Sequence, residues 1–187
     1  LNSLFLYNNF ISDLSPLDEL TNLSCLDLRW NSISNYDSVL AGLTNLTTLY
    51  LADSSITNLA FLTNLTSLNY LGLNNSGVTN LSPLFALTNL SELDLSYNRV
   101  AELAQLSDFA GLAKLYLSGN LISNITFVQN PTTLTSLTFY SNHVDDLSPL
   151  AELTNLSFLR LEHNQIANHS ALGNLTNLVE LNLGGNS

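Results

Sequence analysis

Basic residues are nearly absent from this chain of 187 residues: Lys and Arg number 4 against 15 acidic residues, a formal net charge of −11. Nucleic acid is excluded on that count, since phosphate contacts need clustered Lys and Arg. An anionic membrane surface is disfavoured for the same reason. Cysteine is limited to Cys25, which rules out an internal disulfide and any cysteine-based zinc site. No apolar run approaches the length that spans a bilayer, so membrane insertion is not expected. Glycine-rich phosphate loops, HExxH, GxSxG and a strand-then-helix nucleotide fingerprint are all missing. Nothing therefore indicates catalysis, and no cofactor is implied. Disorder is equally excluded, because 45% of the residues are hydrophobic and only 10% are charged.

What the chain does contain is leucine and asparagine, 45 and 26 residues respectively. They fall into a period. Units open at Leu1, Leu23, Leu46, Leu68, Leu90, Leu112, Leu134, Leu156 and Leu178, spaced by 22 residues except for a second unit of 23. With each opening Leu as position 1, apolar residues return at positions 4, 6 and 11, and usually at 14, 17 and 20. Position 9 is Asn in seven of nine units, with Ser54 and Ser76 in the third and fourth. Positions 4 and 6 alternate with polar neighbours, which predicts a short strand with one buried face. Ser-Pro-Leu and Leu-Thr-Asn later in the unit predict a 3₁₀ or one-turn helical segment. A single unit cannot bury its own leucines, whereas stacked units can, pairing their strands into one parallel sheet. The Asn column is expected to satisfy loop backbone groups inside the stack, with Ser54 and Ser76 doing so less completely. The whole chain, 1–187, reads as one array of eight full units and a partial ninth. Its uncovered terminal leucines lead us to expect a fragment of a longer protein.

The unit L-x-x-L-x-L-x-x-N-x-[IV]-x-x-L-x-x-L-x-x-L-T-N resembles the leucine-rich repeat over all 187 residues. The segments LSPLDELTNL (Leu14 to Leu23) and LSPLAELTNL (Leu147 to Leu156) are similar to the bacterial internalin type. That resemblance implies an α/β fold, a leucine-rich repeat right-handed solenoid or horseshoe. Its concave parallel β-sheet would be backed by short 3₁₀ or helical segments on the convex side. It also implies extracellular or cell-surface display, bacterial in origin, and ligand capture on the concave face. The helical N-terminal cap and immunoglobulin-like C-terminal domain of that family are not found in this sequence.

Outward-facing strand positions 3, 5, 7 and 8 carry the functional information. Seven of the eight Tyr and Trp residues fall in these columns, which hold only 36 of 187 positions, and Tyr36 alone lies elsewhere. Candidate ligand-binding residues are Phe5, Tyr7, Asp27, Arg29, Trp30, Tyr50, Tyr70, Asp94, Tyr97, Tyr116, Tyr140 and Arg160. Tyr7, Trp30, Tyr50 and Tyr70 lie on four consecutive rungs, and Trp30 beside Tyr7 and Arg29 is the expected anchor. Aromatics on neighbouring strands can also stack simply to stiffen a sheet. Exposed aromatics mixed with sparse charges nevertheless suit a binding surface better. A protein ligand is the principal expectation, with a glycan ligand or a passive spacer as alternatives. His143, His163 and His169 occupy positions that point in different directions, which argues against a shared metal. His169 takes a leucine position and is expected under the convex surface. Glu162 and Glu180 lie on adjacent rungs, read as solvated carboxylates near Arg160 rather than as an acid–base pair.

Overall fold

The computed structural model describes residues 1–54, 56–103, 109–129 and 133–187. Among these, the expected strands appear as three-residue segments. They are β1 (Ser3–Phe5), β2 (Cys25–Asp27), β3 (Thr48–Tyr50), β4 (Tyr70–Gly72) and β5 (Glu92–Asp94), followed by β6 (Lys114–Tyr116), β7 (Ser136–Thr138), β8 (Phe158–Arg160) and β9 (Glu180–Asn182). All nine form one parallel sheet in sequence order, the open solenoid of stacked leucine-rich units. Register is the repeat itself: Leu4 pairs with Leu26, Leu26 with Leu49, and so on to Leu159 with Leu181. A slip of one residue would turn the position-4 leucines to solvent, so the hydrophobic pattern fixes the pairing.

Beneath the sheet, the leucines merge into one core, with Leu26, Leu49, Leu71, Leu93, Leu137 and Leu159 all fully inaccessible. The first and last rungs pack on one side only, leaving Leu1 and Leu181 at 68% and 42% exposure. Among the described residues, the opposite side of six units returns through a 3₁₀ segment of three to five residues, for example Ser15–Leu17, Ser82–Ala86 and Ser148–Glu152. Each of these three carries its proline in the first turn, where no N–H is needed. The longer second unit differs. Its extra residue is absorbed away from the sheet, where the return becomes an α-helix, α1 (Tyr36–Gly42).

A second polar column opens these returns. Asp13, Asn58, Asn80, Asn124, Asp146 and Asn168 each accept the backbone N–H two residues on, forming Asx turns that launch the 3₁₀ segment. One expectation is overturned here. His169 sits at the start of such a segment, Ser170–Asn174, but is exposed rather than covered. The last return packs against a neighbour on one side only, and no residue of Ser170–Asn174 is buried.

The Asn column is a ladder of shared carbonyls. Asn120 Nδ2 donates to the Leu95 and Leu117 carbonyls, both at 3.0 Å, and its Oδ1 accepts the Val100 N–H at 3.0 Å. Where two successive units have Asn, the first unit's position-6 carbonyl thus receives its own Asn and the next unit's. Leu95 also accepts from Asn98, and Leu117 from Asn142. Ser54 keeps only the donor half, its hydroxyl reaching the Leu28 and Ala52 carbonyls at 3.1 and 3.2 Å.

Candidate functional site

The outer face of the sheet extends past the three-residue strands, because positions 6 and 8 also donate to the next rung, as Leu6 to Asp27 and Asn8 to Arg29. Position 8 then turns into left-handed backbone in every unit, with φ between 51° and 72° from Asn8 through Gly185. Asn, Asp and Gly tolerate that conformation, and they fill five of the nine positions. Trp30 and Tyr97 do not suit it, yet both adopt it, at φ 54° and 58°. A bulky ring held in an unfavourable backbone region costs on the order of 1 kcal/mol.

On the N-terminal rungs, Asp27 and Arg29 share one face of β2 and its extension. Asp27 is buried, and both its oxygens take the guanidinium: Oδ1 from Nε at 2.9 Å and Oδ2 from the terminal nitrogen at 2.6 Å. This fork holds Arg29 among aromatic rings, 5.7 Å from the centroid of Tyr7, 5.5 Å from Trp30 and 4.9 Å from Tyr50. Tyr50 in turn packs on Tyr70 at 4.6 Å. Tyr70 folds back over Gly72, its hydroxyl 3.0 Å from where a Cβ would stand. Burial, followed by the nearby Asp94 charge, pushes the Tyr70 hydroxyl far above its ordinary range. The four aromatics expected to cluster are thus brought together, and Arg29 is what joins three of them. Trp30 and Tyr7 remain half exposed, and Phe5 stands exposed at the edge.

A separate depression lies over the middle rungs. Tyr97 leans across Gly119, where a Cβ would meet its Cδ1 at 2.6 Å, and its hydroxyl contacts that of Tyr140. Tyr116 donates to Glu92, which also pairs with Lys114 at 3.0 Å, as adjacent rungs of one column should. Tyr97, Tyr116 and Tyr140 wall a cleft of about 330 Å³ whose floor is Ser96, Ser118 and Thr138, with Asp94 at one side and Arg160 at the other. Burial raises the Asp94 carboxyl above the usual carboxylate range. Burial and the Tyr97 hydroxyl push Tyr140 up to about 12.

Towards the last rungs, Arg160 stacks on Phe158 at 5.4 Å and pairs with Glu180 at 3.1 Å. Glu162 instead accepts from Asn182 at 2.6 Å. The two carboxylates are therefore committed to different partners, against an acid–base pairing. Cys25, half-shielded beside Asp27, has its thiol pushed up by burial and by that charge. Among the described residues no cluster of His, Cys, Asp and Glu could hold a metal, and no helix is long and apolar enough to cross a membrane. Counting along the repeat puts these residues on one face of the sheet, but it does not foretell the Asp27–Arg29 fork. An i, i+2 pair of opposite charges on a strand was the available signal.

Comparison with known proteins fits this geometry. A family model for leucine-rich repeats (two copies) matches residues 88–130. None of the curated protein sequences matches the chain. Among solved structures, internalin C2 of Listeria monocytogenes superposes with a TM-score of 0.93 at 32% identity, covering 97% of this chain and 80% of that one. The internalin InlF of the same species gives 0.88 at 35% identity, over 100% of this chain and 62% of that one. InlJ, also from Listeria monocytogenes, shares the fold at a TM-score of 0.76 and 22% identity, over 99% of this chain and 44% of that one. With the repeat, the sheet and the identity to internalin C2 in agreement, the chain belongs to the internalin type of bacterial leucine-rich repeat protein.

Proposed function

We propose that this array is a non-enzymatic recognition module that captures a protein ligand on its concave face, outside a bacterial cell or on its surface. The observation that carries this reading is the N-terminal aromatic cluster. Its rings are held in place by a charged pair, so little side-chain freedom remains to be lost on binding. Trp30 and Tyr7 nonetheless stay half exposed, at 50% and 51%. Rigid, accessible Trp, Tyr and Arg side chains are the residue types in which interface energy concentrates. Membership of the internalin type supports a protein partner, since stacked repeats of this kind present extended concave surfaces for binding.

The test is capture of partner proteins on the immobilised array, followed by substitution. Replacing Trp30 with Ala should weaken binding by about 2 kcal/mol or more. The fold should scarcely change, because position 8 faces away from the leucines. Unchanged capture after Trp30, Tyr50 and Tyr70 are all replaced would move the site off this face. A soluble glycan that quenches Trp30 fluorescence and competes with capture would turn the reading towards carbohydrate.

A further inference from the structure

Units 2 and 5 carry the same outward layout. In each, an aspartate at position 5 accepts the backbone N–H of position 7: Asp27 from Arg29 at 3.1 Å, and Asp94 from Ser96 at 2.9 Å. In each, position 8 is an aromatic residue in left-handed backbone, Trp30 or Tyr97. In each, a tyrosine stands at position 5 of the next rung, Tyr50 paired beside Asp27 and Tyr116 beside Asp94. These are the two units of the array with aspartate at position 5. They differ at position 7. Unit 2 has Arg29 there, and its guanidinium fills the space between carboxylate and rings. Unit 5 has Ser96, and the same space is an open cleft of about 330 Å³.

We propose that the unit-5 cleft binds an arginine side chain of the protein ligand, seated against Asp94 between Tyr97 and Tyr116 as Arg29 is seated against Asp27 between Trp30 and Tyr50. The proposal rests on reading the concave face as a protein-binding surface and names what one part of that surface takes.

Charge supports it. The other basic groups of the face are engaged elsewhere, Lys114 with Glu92 and Arg160 with Glu180. Asp94 has no ion-pair partner among the described residues, and burial already makes its negative charge unfavourable. A cation arriving there would relieve that penalty. The chain's own template favours arginine over lysine. Asp27 receives two guanidinium nitrogens as a fork while the guanidinium lies against the rings, and a single ammonium cannot do both. The two sites are not identical. Asn74 stands where unit 2 is flanked by Tyr7, and the missing wall is replaced from the other side by Tyr140, whose ring lies 6.1 Å from Tyr97.

The experiment is an NMR titration of protein carrying ¹³C-labelled tyrosine with N-acetyl-arginine amide at constant ionic strength. We expect saturable shifts at Tyr97 and Tyr116 but not at Tyr7 and Tyr50, whose site is already filled. Ser96→Arg should fill the cleft from within and abolish the response. Asp94→Asn should weaken it roughly tenfold or more. Arg29→Ser should empty the first site and add a second set of shifts at Tyr7 and Tyr50. The absence of saturable shifts would overturn the proposal, as would a response unaltered by Asp94→Asn, or one matched by N-acetyl-lysine amide. If shifts are absent while replacing Trp30, Tyr50 and Tyr70 still abolishes protein capture, the arginine site fails and the binding face stands.

Discussion

Removing one amide from the Asn ladder gives a cost that can be worked bond by bond. Asn120→Ala deletes four hydrogen bonds: two from Nδ2 to the Leu95 and Leu117 carbonyls, a longer shared one at 3.3 Å to the Ser118 carbonyl, which keeps the Tyr97 N–H and so adds little, and one from the Val100 N–H to Oδ1. The carbonyls do not become orphans. Leu95 keeps Asn98 and Leu117 keeps Asn142, so each loses only a second bond, a net of about 0.5–1 kcal/mol apiece. The Val100 N–H is different, because it is buried with Oδ1 as its acceptor, and leaving it unpaired costs about 1–3 kcal/mol. Together the loss is roughly 2–4 kcal/mol. At Ser54 the hydroxyl only donates, to the Leu28 and Ala52 carbonyls, and Leu28 keeps Asn31. Ser54→Ala therefore orphans no N–H and should cost about 1 kcal/mol. Urea unfolding of both variants, followed by far-UV circular dichroism, should separate them by about 2 kcal/mol with equal slopes. Equal losses would refute the claim that the buried N–H, rather than the number of bonds, sets the cost.

Three further outcomes follow from the face. Gly119→Ala places a Cβ 2.6 Å from the Tyr97 ring on a backbone at φ 66°, so it should swing Tyr97 off Tyr140 and destabilise by about 1–2 kcal/mol. Loss of the Tyr97–Tyr140 ring contact in NMR spectra checks it. In an alkaline ultraviolet titration Tyr140 should ionise near 12, and Tyr97→Phe should bring that step down by removing one of its causes. Asp94 has a carboxyl raised by burial, so its contribution to stability is fully present at acid pH and is lost as pH rises through the folded value. Asp94→Asn should accordingly gain stability relative to the parent between pH 3 and pH 7, and a constant difference across that range would contradict the assignment.

Leucine spacing made the fold legible, because each buried column in the structure is a column in the sequence and stacking admits only one register. The Asn column was legible for the same reason. Its accounting was not, since nothing in a sequence tells that a position-6 carbonyl between two Asn units serves two amides. Trp30, Tyr50 and Tyr70 could be placed on one face by counting. That Arg29 would lie among them depended on Asp27, two residues earlier, taking both guanidinium nitrogens, which is a matter of side-chain geometry. His169 misled because its column is mostly leucine, with Tyr36 and Ile125 as its other members. Exposure there is decided by having a neighbour on one side only, a property of the stack and not of the residue. The left-handed backbone of position 8 was hidden by Trp30, Tyr97 and His163, although its Asn, Asp and Gly members pointed to it.

That position also imposes a rule between neighbours. A large side chain at position 8 projects sideways over the following rung: Tyr97 lies over Gly119, and His163 over Gly185, where a Cβ would meet its ring at 2.5 Å. Trp30 is followed by Asp53. Each ring thus reserves the next rung for a small residue, and the position-8 rings Trp30, Tyr97 and His163 stand three strands apart, roughly 14 Å. Any attempt to rewrite its specificity by adding an aromatic residue must therefore change a pair of rungs together, the one that carries the ring and the one it overhangs.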